Sequence, residues 1–185
     1  VTAPQSPAEA DAITAEFHGE KATLILRRFL RHRPETVWRA LTDPDQIRRW
    51  YLTTATSDGR AGGSVEWTTE MVGVRANGTI LAWDPPRVYE YEWNIQESGV
   101  PLFRGLRTVV RWELTATPGG TILVLTHRNL TKAVATGFQT GLPFLLDRLE
   151  ALLDQRPLPT DWVDRVREGG RQASYSEPST RSGSA

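Results

Sequence analysis

The chain has 185 residues and no cysteine, which excludes disulfides and thiolate chemistry at once. A surplus of charge is also missing: 22 basic and 22 acidic residues leave a formal net charge of zero. A nucleic-acid partner would need a basic excess to displace counterions, so no nucleic acid is expected. No run of eighteen apolar residues is present to span a bilayer. The opening "VTAPQSPAEADAITAEFHGE" has neither the basic start nor the apolar stretch of a secretory signal, and a cytoplasmic address is the expectation. Histidine is scarce. His18, His32 and His127 are the whole supply, and no pair has metal-ligand spacing. The glycines of "DGRAGG" (58–63) lack the Lys-Ser/Thr of a phosphate loop and lead into a strand. No serine or threonine sits in a nucleophile elbow.

Tryptophan, by contrast, is plentiful, with seven in one chain. Each ring buries ~150–250 Å², which at ~25 cal/mol/Å² is on the order of 4–6 kcal/mol before entropy is charged. Rings in that number must define a core or line a cavity within it.

Residues 1–20 read as a flexible leader and 169–185, rich in Ser, Gly and Arg, as a disordered tail. Between them, 21–168 read as a single domain, with no repeat and no linker. "ATLILRRFL" (22–30) is the first strand. Two helices too short to stand alone follow in "RPETVWRALTDPDQIRRWY" (33–51). Pro34 fits the first position of one. Asp43, Pro44 and Gln46 form a cap, first position and capping-box partner for the other. Val37, Trp38 and Leu41 share one face of the first, and Ile47, Trp50 and Tyr51 one face of the second.

Alternation then takes over. In "GGSVEWTTEMVGV" (62–74), Val65, Trp67, Thr69 and Met71 share a side. "NGTILAW" (77–83) is a further strand. In "RVYEYEWNI" (87–95), Tyr89, Tyr91, Trp93 and Ile95 oppose Val88, Glu90, Glu92 and Asn94. "RTVVRWELTAT" (107–117) groups Val110, Trp112 and Leu114, and Pro-Gly-Gly at 118–120 closes a hairpin with "TILVLTHRNL" (121–130). One polar face and short connections imply an antiparallel sheet covered on one side. The cover is "LPFLLDRLEALL" (142–153), whose Leu142, Leu145, Leu146, Leu149, Leu152 and Leu153 recur at helical spacing. That helix starts either near Gly141 or near Lys132 with a kink at Pro143, and the longer version is preferred. The pattern predicts an α+β domain with one amphipathic helix across a curved antiparallel sheet.

The blocks "HRPETVWRALTDPDQIRRWY", "DGRAGGSVEW", "GTILAWDPPRVYEYEW", "WELTATPGGTILVLTH" and "GLPFLLDRLEALL", in that order, resemble the heat-shock-protein-90 ATPase activator homologues. These are small proteins of the START/SRPBCC superfamily, which has the helix-grip fold of the birch-pollen allergen. The resemblance spans residues 22 to about 165. It implies a curved antiparallel sheet wrapped on a long C-terminal helix, two short helices after the first strand, and a cavity. It implies neither a reaction nor a cofactor. The family commonly carries Gly-Trp where this chain has Gly141-Leu142, so a relative's ligand preference does not carry over. The family's namesake is longer and carries an additional chaperone-binding domain; no such domain, and so no chaperone activation, is expected here.

Trp67, Tyr91, Trp93, Trp112, His127, Leu142 and Leu146 are the expected ligand-binding residues, converging beneath the long helix. The expected partner is a hydrophobic small molecule, lipid-like or polycyclic. His127 shares the strand phase of Leu123 and Leu125; with the Tyr91 hydroxyl it is the one acid-base candidate for an alternative cyclase/aromatase- or hydrolase-like enzyme. Arg104, in "PLFRGLR", is a candidate for an anionic ligand group at the cavity mouth. Glu66, Glu70, Glu90 and Glu92 are expected on a solvated outer face. A stress-related interaction module and a homodimer remain open alternatives.

Overall fold

The computed structural model describes residues 12–160; the leader as far as residue 11, the last eight residues of the expected domain and the tail lie outside them. Strands β1 (Ala12–His18) and β2 (Lys21–Leu30) precede helices α1 (Pro34–Thr42) and α2 (Pro44–Tyr51). Then come β3 (Thr54–Ser57), β4 (Ser64–Thr69), β5 (Val74–Asp84), β6 (Val88–Glu97), β7 (Arg107–Thr117) and β8 (Gly120–Thr131), and finally α3 (Lys132–Leu153). Every pairing is antiparallel, in the order β1-β2-β8-β7-β6-β5-β4-β3: β1 with β2, and each strand from β3 to β8 with the next, pair across short connections, and β2 pairs with β8 across the whole intervening chain. The eight strands form one curved sheet with α3 against it, as the alternation predicts.

β1 corrects the sequence reading, which leaves it in the leader. Gly19, at φ +60°, makes the tight turn that folds β1 back on β2. An edge strand packs one face only, so half-buried Ile13 and Ala15 suffice and the acidic composition around them hides the pattern. A second correction falls at Met71. The strand ends at Thr69, a single 3-10 turn follows at Glu70–Val72, and Gly73 at φ +57° restarts the sheet as β5. Met71 is thereby exposed rather than aligned with Trp67. Gly78 marks the closest approach in the sheet, since a Cβ there would lie 2.0 Å from the Glu92 carbonyl oxygen.

The helices follow their caps. The Asp43 carboxylate accepts from the backbone N–H of Asp45 (2.9 Å) and of Gln46 (3.2 Å), which starts α2 anew after α1. The Thr131 hydroxyl accepts from Val134 N–H (3.3 Å), so α3 begins at Lys132, the longer alternative, with Pro143 inside it. α3 is pinned to β2 by Arg28, 2.7 Å from Asp147 and 3.3 Å from Glu150.

Arg148, on α3 and 3% exposed, holds α2 by another route. Its Nε donates to the Trp50 carbonyl (2.7 Å), one Nη to the Arg49 carbonyl (3.0 Å) and the other to the Pro159 carbonyl. The carbonyls at the C-terminal end of α2 have no intrahelical partners, and a guanidinium with fixed, forked donors fits them. Burial draws its pKa down.

On the outer face, Glu90 is buried rather than solvated: Arg111 reaches it at 2.8 Å and Arg128 also pairs with it, while Arg111 extends to Glu113 at 3.0 Å. Two guanidinium groups cover the carboxylate that alternation places outside.

Candidate functional site

The register assembles the site. Tyr91 pairs with Val110, and Val110 with His127, which sets a row across β6, β7 and β8. The neighbouring rows are Tyr89–Trp112–Leu125 on one side and Trp93–Thr108 on the other. Residues opposite one another across strands point to the same face, so these side chains form one apolar floor. The roof is α3, where Phe138, Leu142, Leu145 and Leu146 follow one another on one helical face, with Gly137 just before Phe138 and Gly141 just before Leu142.

Between floor and roof lies a partly open cavity of ≈ 100 Å³. Of the expected residues, Tyr91, Trp93, Trp112, His127, Leu142 and Leu146 line it. Trp67 does not. It stacks behind Tyr91 (ring centroids 5.3 Å apart, planes at 25°) and lines a separate space of ≈ 80 Å³ beneath α1 and α2. The strand phase gave Trp67 the correct face but not its depth along the sheet. Arg104 also lies elsewhere: its Nε donates to the Ser98 carbonyl (3.4 Å), and its neighbours Leu102 and Phe103 border the cavity instead.

Several lining residues escape sequence reasoning. Trp50 and Tyr51 enter from α2, stacked at 5.1 Å, with the Trp50 N–H given to the Ala40 carbonyl (2.9 Å). Phe103 and Phe138 meet edge-to-face at 5.4 Å, and both approach Trp93 at 6.4 Å. The signals were available: Phe138 lies four residues before Leu142, and "VPLF" is an apolar run in a loop.

The polar groups are few and uncharged. His127 is 4% exposed, and burial drives its pKa from 6.5 down to about 3. Burial also raises the Tyr91 hydroxyl well above 10, reinforced by the neighbouring Tyr89 and Tyr51 and opposed by a hydrogen bond with Trp112. Tyr51 is pushed up to about 12 by burial. At neutral pH the site thus offers a neutral imidazole and protonated phenols, none titrating near the pH at which an acid-base catalyst would work. No group of His, Asp and Glu side chains able to hold a metal occurs among the described residues. No described helix is long and apolar enough to cross a membrane.

Residues 31–154 match the family described as Activator of Hsp90 ATPase homolog 1-like protein. No curated protein matches the chain. Among solved structures, a protein of Mesorhizobium loti is 31% identical, with a TM-score of 0.64 over 74% of this chain and 99% of its own. CalU16 from Micromonospora echinospora is 24% identical, with a TM-score of 0.64 over 89% of this chain and 94% of its own. A protein of Bordetella parapertussis is 23% identical, with a TM-score of 0.65 over 96% of both chains. The last two likenesses speak to fold alone.

Proposed function

The chain belongs to the Activator of Hsp90 ATPase homolog 1-like family, of helix-grip fold, and from that premise we propose that it binds a hydrophobic small molecule in the cavity beneath α3. The observation that carries this reading is the lining: aromatic and aliphatic side chains from α2, the sheet and α3 converge on one space, with a single imidazole and a few hydroxyls at its edge. Side chains that could have filled the room leave it open, opposite the glycines of α3.

The size of the space bears on the guest. A cavity of ≈ 100 Å³ is smaller than the ~300–1,000 Å³ of typical ligand pockets. A single ring or a short chain fits with the walls as they stand. A lipid-like or polycyclic guest enters only if Phe138 and the Leu102–Phe103 turn give way. Both are accessible to such movement, since Phe138 and Leu102 are only half-buried.

Thermal melting of the full chain against a set of small aromatic and aliphatic compounds tests the reading. A guest present at a hundredfold its Kd stabilises the native state by about 2.7 kcal/mol, a rise readily seen, and should perturb tryptophan fluorescence. If no compound raises the melting temperature or alters the fluorescence, the proposal fails.

A further inference from the structure

The hydrogen bonds around His127 fix which of its nitrogens faces the cavity as an acceptor. His127 Nε2 lies 2.8 Å from Thr108 Oγ1. The Thr108 hydroxyl has one proton, and it goes to the Trp93 carbonyl at 3.1 Å, a group that can only accept. Towards His127 the threonine oxygen therefore accepts, which places the imidazole proton on Nε2 and leaves Nδ1 as a bare lone pair. Among the described residues Nδ1 makes no hydrogen bond, the one bond of the ring being that of Nε2. Unlike the Trp67 indole nitrogen, it is not among the unpartnered buried atoms sealed in by packing, and the ring that carries it lines the cavity.

Three other polar groups of the lining have partners, while the Trp93 indole N–H and the Tyr51 hydroxyl, both able to donate, have none among the described residues. The Trp50 N–H is given to Ala40, the Thr69 hydroxyl meets that of Thr53 at 2.8 Å, and the Trp112 side chain shares a hydrogen bond with Tyr91. The unsatisfied acceptor is held between Trp93 and Phe138, each 5.5 Å from the imidazole.

We propose that His127 Nδ1 is the cavity's recognition point and that it selects a neutral, hydroxyl-bearing apolar ligand, a phenol or an alcohol, which donates its O–H to this nitrogen. The inference rests on the ligand-binding reading above and adds the chemical class of the guest. A hydrocarbon of the same shape leaves the acceptor unpaired. A carboxylate places negative charge against a lone pair in apolar surroundings with no cation in the lining to offset it. Burial keeps the imidazole neutral at physiological pH, so it does not become the imidazolium that would welcome an anion.

Phenol and toluene are near-isosteres that differ in the hydroxyl, and benzoate adds the charge. Titrating each into the full chain, with tryptophan fluorescence as the readout, should give phenol binding about five- to tenfold tighter than toluene, with benzoate much the weakest. In His127→Leu the preference should reverse in favour of toluene. Equal phenol-to-toluene ratios in the two proteins, or benzoate as the best ligand, would overturn the assignment while leaving the cavity a binding site. Failure of all three compounds, and of the wider set of hydrophobic compounds, would remove the binding reading itself and this inference with it. A readout that needs no variant is the nitrogen NMR spectrum of the imidazole. A proton on Nε2 is expected, with the Nδ1 resonance moving when phenol is added; a proton on Nδ1 overturns the proposal.

Discussion

Two spaces lie under one sheet, alike in volume but different in the share of polar groups around them. The one beneath α3 holds ≈ 100 Å³ and the one beneath α1 and α2 ≈ 80 Å³. The second is bordered by Thr42, Ser57 and Tyr89, whose hydroxyls can hold water, and Ser57 bonds the Tyr89 hydroxyl. Around it the rings are closely packed: Trp83 stands edge-on to Tyr89 at 5.0 Å and to Trp38 at 5.1 Å. The first has a mainly aliphatic and aromatic lining that includes the His127 imidazole. Volume alone does not distinguish a ligand site from a structural void. A polar space of this size accommodates a water molecule, whereas an apolar one stays dry and available to a guest.

Removing the anchor between the two roofs is the largest expected disturbance. Arg148→Met leaves the Arg49, Trp50 and Pro159 carbonyls without their donor, and should cost about 3 kcal/mol in urea unfolding. Because Trp50 and Tyr51 belong to the cavity wall, ligand affinity should fall as well. Undiminished stability would show that α2 is held by its own apolar face.

Acid should discriminate between the spaces next, through His127. Its folded pKa of about 3 lies below the 6.5 of an exposed histidine. Between those values the unfolded chain binds the proton and the folded chain does not. The stability that His127 contributes is therefore complete above about pH 6.5 and declines as pH falls towards 3, by up to about 1.4 kcal/mol per pH unit. From pH 6.5 to 5 the wild type should lose about 2 kcal/mol more than His127→Leu. Parallel losses would mean that the histidine is solvated.

Two smaller effects complete the contrast. Asp43→Ala removes the α2 cap and should cost about 1 kcal/mol, read as a lower urea midpoint; no change would mean that water serves the freed N–H groups. Leu142→Trp restores the aromatic residue common in the family and places a larger ring in the apolar space. It should weaken binding of toluene about tenfold while moving the melting temperature little, and unchanged binding would put the guest elsewhere.

Much of this was legible in the residues because alternation and capping are local. Asp43-Pro44 starts a helix wherever it stands, and the period-two run through Tyr89, Tyr91 and Trp93 faces inward as read. What failed depended on distance along the sheet. Trp67 and Tyr91 both face inward, yet Tyr91 stands between Trp67 and the cavity, and only strand register reveals that. Met71 continued the pattern but not the strand. Glu90 obeyed the pattern, and its burial comes from Arg111 and Arg128 on neighbouring strands. A space beneath the long helix was implied by the family resemblance, but its size under Gly137 and Gly141 was not legible, because it is set by what several elements jointly fail to fill.

Arg148 also ties the chain beyond α3 to the wall of the space beneath it. Pro159 is eleven positions further on than the arginine, yet its carbonyl and those of Arg49 and Trp50 are gathered by one planar cation. A change near Pro159 need not touch a guest in order to be felt by one: it would loosen a knot whose other two strings hold up the wall containing Trp50.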